Sequence, residues 1–536
     1  MQQSADRDHG SGRAGGGHRV RLRAALLALP VALVGLVPAT AAHAAQGGVV
    51  QTDKGAVRGT TADGVESFRG IPYAAAPNGA RRWKAPQPAA AWSGVRDASS
   101  FGNVCPVLPS TNGPRSETED CLFINVQRPA GTKAGDNLPV HVFIHGGGLT
   151  NGSSNQNDEA KLVADTGVIG VSMNYRLGVF GFLATSQLTA EGGQSGNYGF
   201  LDQQAALRWV QRNIRAFGGK PYEVTIDGES AGAYSVCGHM ISPESRGLFN
   251  QAMMQSTYCP SRTEAQAESA SASFVSAVGC SSAADPLACL RAASPAKLLD
   301  ASGGFGSTFV HGTSTFPEPT QTALAAGRFA HVPVLTGVNR DEGRTFVAGA
   351  TGTKADYLTY LSRSYGARAD DVYAHYPWPA QSDQFTYAYL LGALLTDNGF
   401  IGGCVQSDFV HTLAKYTRTY AYEFDNRTGP GLQQFPGYVW GAGHAAELAY
   451  IWPSFNNGTP IAPLFNAGER QLANEMTKYW GAFATNGRPR VAGQTSWPRF
   501  DKHGSTISLR PGGQSVVIDQ AQFDAEHQCG FWSTFS

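Results

Sequence analysis

Between Val224 and Gly232 the chain reads Val-Thr-Ile-Asp-Gly-Glu-Ser-Ala-Gly: a short apolar run, a Gly-x-Ser-x-Gly pentapeptide, and then a helix-compatible run from Ala231 to Met240. Strand, tight turn and helix in that order leave few folds open. The turn sets Ser230 at the carboxyl edge of a sheet, on backbone strained enough to expose its hydroxyl. Glycines at 228 and 232 remove the side chains that would hold strand and helix apart. In a chain with 65 glycines the bare pentapeptide can arise by chance, so its weight comes from the strand and helix around it.

The same rhythm runs along most of the chain. Apolar runs at Leu138 to His145, Val168 to Asn174, Val224 to Ile226, Ala252 to Gln255, Val332 to Val338 and Tyr420 to Phe424 have helical patterns between several of them. The clearest helix is Leu201 to Phe217, where Leu201, Ala205, Trp209 and Ile214 approximate one face and Gly218-Gly219 stops it. Buried strands separated by helices predict an α/β fold with a mostly parallel central sheet flanked by helices. No repeat and no Pro/Ser linker divides the chain, so a single large domain is expected despite the length of 536 residues.

His145-Gly146-Gly147-Gly148 ends the first of these runs. Glycines there let backbone N–H groups point into a site and stabilise negative charge on a tetrahedral intermediate. The Lys-Ser/Thr of a phosphate-binding loop is missing, and His145 is expected to shape the loop rather than to act as a base. A serine nucleophile needs a base oriented by an acid, and on this fold they follow in the order Ser, acid, His. Asp341 and Glu342, just after the strand at Val332 to Val338, are the acid candidates. Among the later histidines, His444 is best positioned, in the glycine-bounded loop after the strand at Tyr420 to Phe424. His239 is expected to pack on the helix after Ser230, and His503 and His527 to lie in polar terminal segments. This chemistry calls for no cofactor and no metal.

Lys+Arg and Asp+Glu both number 41, and charged residues make up only 15% of the chain, which argues against nucleic acid or another polyanion as partner. A small, near-neutral molecule is expected instead. At the N-terminus, Arg19, Arg21 and Arg23 precede the apolar stretch Ala24 to Val37, and Ala42-His43-Ala44 forms an A-x-A cleavage site. That pattern reads as a secretory signal peptide over residues 1–44, by the general export route, with one catalytic domain over 45–536. No later apolar stretch is as long and uninterrupted, so no membrane anchor is expected and the mature protein should be extracellular. Eight cysteines suit an oxidising exterior. Local spacing suggests Cys105 with Cys121 and Cys280 with Cys289. Cys237, Cys259, Cys404 and Cys529 allow three pairings, and Cys237 reads equally as a buried free thiol. Nothing in the sequence sets an oligomeric state.

Phe68-Arg-Gly-Ile-Pro-Tyr73, Glu119-Asp-Cys-Leu-Phe-Ile-Asn-Val126, the glycines 146–148, Asn174-Tyr-Arg-Leu-Gly-Val-Phe-Gly-Phe182, Gly196-Asn-Tyr-Gly-Phe-Leu-Asp202, Asn213-Ile-Arg-Ala-Phe-Gly-Gly219, the serine turn, Asp341-Glu-Gly343 and Gly443-His444 together resemble the type-B carboxylesterases. This α/β-hydrolase family also holds cholinesterases, some fungal lipases and the neuroligin adhesion proteins. The resemblance implies Ser230 as the acylated nucleophile, His444 as general base and acid, and Glu342, rather than Asp341, as the orienting carboxylate. It implies the N–H groups of Gly147, Gly148 and Ala231 as oxyanion donors, and Glu229, Glu447 and Ser256 as supporting groups near the histidine. It also implies the bridges Cys105–Cys121, Cys280–Cys289 and Cys404–Cys529, which leaves Cys237 with Cys259.

The departures bear on substrate. The loop from 106 to 120 (PVLPSTNGPRSETED) lacks the tryptophan with which cholinesterases hold a quaternary ammonium. It is also shorter and more polar than the flap of the lipases. An esterase of soluble, short or aromatic acyl esters is therefore expected, with a triacylglycerol lipase as the alternative and a non-catalytic binding module of neuroligin type as the third reading. Asp227, before the serine turn, and His311-Gly312 also depart from the family pattern without a functional account.

Overall fold

Strands that read as mostly apolar runs are those covered on both faces. In the computed structural model, which describes residues 45–431 and 434–535, Ile169–Met173, Gln251–Gln255, Val334–Asn339 and Thr419–Phe424 are buried throughout. They belong to a parallel run ordered Ile169–Met173, Leu138–Ile144, Gly219–Gly228, Gln251–Gln255, Val334–Asn339, Thr419–Phe424 and Thr506–Leu509. Helices flank this run, and the whole is an α/β-hydrolase fold in one large domain. The expected leader, including Ala42-His43-Ala44, lies outside the described residues.

Sequence periodicity did not reveal the flanks of the sheet. Ala45–Gln51, Ala56–Ala62, Val65–Pro72 and Phe123–Pro129 extend it on one side as antiparallel strands, and Val516–Ile518 closes the other side of a 13-stranded sheet. Val65–Pro72 and Phe123–Pro129 are buried almost throughout yet carry polar residues such as Glu66, Arg69, Asn125 and Arg128 that break the apolar run, and elsewhere only one face needs to be apolar. Ala56–Ala62 accordingly alternates between buried and half-buried positions at its start.

The expected helix at Leu201 runs from Tyr198 to Asn213 and tightens into a 3₁₀ turn over Ile214–Phe217, ended by Gly218 at φ 92°. The run after Ser230 is the fully buried helix Ala231–Ile241. By length and composition alone Thr386–Ala414, with an 18-residue window of mean hydropathy 1.2, could span a membrane. It is not uninterrupted, being broken at Gly399–Gly402 into two helices, Thr386–Asn398 and Gly403–Ala414, and half of that window is buried in the protein.

Topology places the site. From Leu138–Ile144 the chain moves to its neighbour Ile169–Met173, then returns to the other side of Leu138–Ile144 as Gly219–Gly228. Connections therefore leave the sheet in opposite directions at the carboxyl end of Leu138–Ile144, where open α/β sheets form a crevice. Gly146–Gly148 and Ser230 follow these two strands directly. All eight cysteines pair: Cys105–Cys121, Cys237–Cys259, Cys280–Cys289 and Cys404–Cys529. The open alternatives for Cys237 close on a bridge that ties the helix behind Ser230 to the segment after Gln251–Gln255.

Candidate active site

Ser230 sits between strand and helix at φ 56° and ψ −121°, a conformation a non-glycine residue holds only when its surroundings enforce it. They do: its N–H donates to the Gln255 carbonyl at 2.8 Å, and its carbonyl accepts from Tyr234 N–H at 2.8 Å. A Cβ on Gly228 would run into the backbone of Gly232, and one on Gly232 into the carbonyl of Ile144, so the two glycines let strand and helix meet. Gly147 and Gly148 adopt φ 103° and 64°. Neither N–H meets a partner among the described residues. Ala231 opens its helix, where an N–H has no acceptor within the helix.

Ser230, these glycines and His444 line one cavity of about 510 Å³. His444 Nδ1 lies 2.7 Å from Glu342 Oε2, and its Nε2 lies 3.1 Å from Glu229 Oε1. Burial alone would lower its pKa, but the carboxylates of Glu229 and Glu342 outweigh that and push it up to about 9. Burial drives the Glu229 carboxyl up, and Glu342 adds to the rise. Glu342 is itself held from several sides: Oε1 accepts from the Asn339 backbone N–H at 2.8 Å and from the Ser256 hydroxyl, and its carbonyl accepts from His444 N–H at 3.3 Å. Asp341, the other acid candidate, faces away from the histidine. It takes a bidentate bond from Arg427 at 2.7 and 3.0 Å and another from Ala442 N–H.

A model of the carboxylesterase family matches residues 46–532 of the chain. The chain belongs to the carboxylesterase family. It is 34% identical over 477 residues to the para-nitrobenzyl esterase of Bacillus subtilis (strain 168), covering 84% of this chain and 92% of that one. It is 33% identical over 505 residues to the cocaine esterase of Oryctolagus cuniculus, covering 87% and 92%. Among solved structures, a PNB esterase superposes with a TM-score of 0.73 at 31% identity, covering 89% of this chain and 99% of that chain. The protein is accordingly a carboxylic ester hydrolase.

Other expected residues of this carboxylesterase fall as follows. Glu447 is fully buried and accepts from the Asn339 side chain. Burial drives its carboxyl well up, and the nearby Glu229 and Glu342 charges add to this. His145 stacks on Tyr175 at 4.5 Å and is held neutral by burial, with its pKa lowered to about 4, as suits a loop-shaping role. His239 packs on Phe200 at 4.3 Å. His527 corrects the sequence reading: it is fully buried, with Nε2 2.7 Å from Glu423 and Nδ1 3.1 Å from Asp397, because the Cys404–Cys529 bridge draws the terminal segment into the fold.

Asn339 was missed. Its amide donates to the Gly443 carbonyl at 2.8 Å and to Glu447, tying the acid loop to the histidine loop, and nothing local in the sequence signals this. Asp227, left without an account, pairs with buried His141 at 3.0 Å and accepts from the Gln255 amide at 3.0 Å. Gln255 is also the residue whose carbonyl holds Ser230 N–H. His311 bonds the Ser261 hydroxyl at 2.9 Å, outside the cavity.

Proposed function

We propose that this carboxylesterase is exported after removal of residues 1–44, and that its domain of residues 45–536 hydrolyses neutral, soluble esters with short or aromatic acyl groups. Ser230 attacks the ester carbonyl while His444 takes its proton. Gly147, Gly148 and Ala231 N–H groups stabilise the oxyanion, the alcohol leaves with the proton from His444, and water releases the acyl group by the reverse sequence. Glu342 orients the imidazole through Nδ1. The observation that carries this reading is the shared cavity: Ser230 in the left-handed region and His444, 2.7 Å from Glu342, line the same space. Neutral substrates are favoured by the lining, in which Glu229 is the lone carboxylate and no lysine, arginine or aspartate occurs among the described residues. Four disulfides support an oxidising compartment.

Hydrolysis of p-nitrophenyl butyrate by the native protein and its fall by about 10⁴ or more in Ser230→Ala is the expected outcome. Unchanged turnover in that variant would sink the assignment. Two lining aromatics, Phe346 at 47% and Phe400 at 57% exposure, give the lipase alternative its one specific support. Following the rate as tributyrin passes its solubility limit separates the two: a steady rate is the esterase result, a jump the lipase one.

A further inference from the structure

The cavity has two chemically distinct linings. Tyr258, Phe346 and Phe400 form one chain of rings that reaches the catalytic histidine, with Phe346 4.8 Å from His444, 6.0 Å from Phe400, and Phe400 6.2 Å from Tyr258. The other lining is made of carboxamides: Asn112, Asn151, Gln156, Asn157 and Asn457. Several are linked, since Gln156 donates to Asn112 at 3.3 Å and Asn112 donates to Asn151. Asn151 N–H in turn bonds the Gly147 carbonyl at 3.0 Å, so this lining continues directly from the oxyanion loop.

Asn157 is the telling member. It is only 3% exposed and lines the cavity, yet its amide nitrogen has no partner among the described residues. A buried donor left unpaired costs free energy, and native proteins seldom leave one without a reason. The Ser307 hydroxyl, also on the cavity, lacks a partner as well. An anionic ligand group would call for lysine or arginine, and neither lines the cavity among the described residues, while the lone carboxylate of the lining, Glu229, lies 3.1 Å from His444 Nε2. A purely apolar group would leave the Asn157 donor unpaired. Carboxamides offer a donor and an acceptor on one side chain, which matches hydroxyl groups that both give and take hydrogen bonds.

We propose that the Asn112–Gln156–Asn157 lining is a subsite for a neutral, multiply hydroxylated group, and that the substrates are esters of which one part is a sugar or polyol. This rests on the esterase reading above and names the substrate class for the same cavity. The hydroxylated group could belong to the alcohol or to the acid, and the experiment has an arm for each. In the first, the butyrate of methyl glucoside at its primary hydroxyl is compared with cyclohexylmethyl butyrate. In the second, ethyl gluconate is compared with ethyl hexanoate. p-Nitrophenyl butyrate is run alongside.

In at least one arm the hydroxylated ester is expected to have a kcat/KM about tenfold or more above its match, the size of one or two neutral hydrogen bonds. Asn157→Leu should reduce that ratio by about tenfold, and Asn112→Ala, at a half-exposed position, should reduce it in the same direction. Alkyl esters equal to or better than their hydroxylated matches in both arms would overturn the subsite, as would a ratio untouched by both substitutions. A native protein inert on p-nitrophenyl butyrate would instead overturn the esterase reading and this one with it. Activity on that ester with no preference in either arm removes the subsite alone.

Discussion

His444 and His527 are built alike. Each is buried, each has one carboxylate at 2.7 Å and a second at 3.1 Å, and each is pushed up to about 9 by those carboxylates against the opposing effect of burial. Their carboxylates Glu342 and Glu423 lie after and within the paired strands Val334–Asn339 and Thr419–Phe424. The difference is access: His444 lines the cavity with Ser230, whereas His527 is 0% exposed. A histidine between carboxylates is therefore not in itself a catalytic device. In the function proposed above, the carboxyl-edge crevice with a serine on the same cavity turns that pairing to acyl transfer, while at His527 the same pairing is internal to the fold.

Substitution separates the two roles. His444→Ala is expected to lower turnover of p-nitrophenyl butyrate by about 10⁴, as removal of a triad base does in other serine hydrolases, and, because it leaves Glu342 and Glu229 buried without their partner, to lower the denaturation midpoint as well. His527→Leu should lower the midpoint without touching turnover. Leaving Glu423 and Asp397 buried without their cation costs about 3 to 5 kcal/mol, read as a lower denaturant midpoint, while the folded fraction keeps its kcat. A His527→Leu protein as stable as the native would show that the resemblance between the two clusters is superficial.

Acidity sharpens the comparison further. Because the folded pKa of His527 is raised from 6.5 to about 9, its stabilising contribution is complete below pH 6.5 and is lost as pH rises through 9. Denaturant midpoints of native and His527→Leu proteins, measured from pH 6 to 10, should therefore converge at the alkaline end. For His444 the same raised pKa acts on rate. The imidazole must be neutral to take the serine proton, so kcat/KM should climb with pH toward a midpoint above the ordinary histidine value. Glu229→Gln removes one of the two charges that raise it, and should move that midpoint down by about 1 unit, the smallest of these effects. A midpoint that stays where it was would mean that Glu229 carries no charge beside His444.

Much of the fold could be read in advance because its signals are local. Continuous apolar runs mark strands that are covered on both faces, and every such run became a strand of the parallel region. In the antiparallel flank at Ala45–Pro72, Ala56–Ala62 escaped because it only alternates between buried and half-buried positions at its start, a weaker pattern over seven residues; Val65–Pro72, buried at almost every position, carries Glu66, Ser67 and Arg69 and so does not read as an apolar run. The serine turn and the glycine loop were visible for the same reason: steric demands confined to five or so residues leave their mark on those residues alone.

What the sequence determined by itself was thus the strand–turn–helix around Ser230, the glycines at 146–148 and the types of acid and base available. What only the tertiary structure decided was which groups meet: Glu342 rather than Asp341 against His444, Asn339 bridging to Glu447, His527 drawn into the interior, and Cys237 joined to Cys259. The reason is distance along the chain. A turn's geometry is paid for within a few residues, but an ion pair such as Glu342 with His444 joins positions 102 apart, and its energy exists only after the sheet has brought two strand ends together.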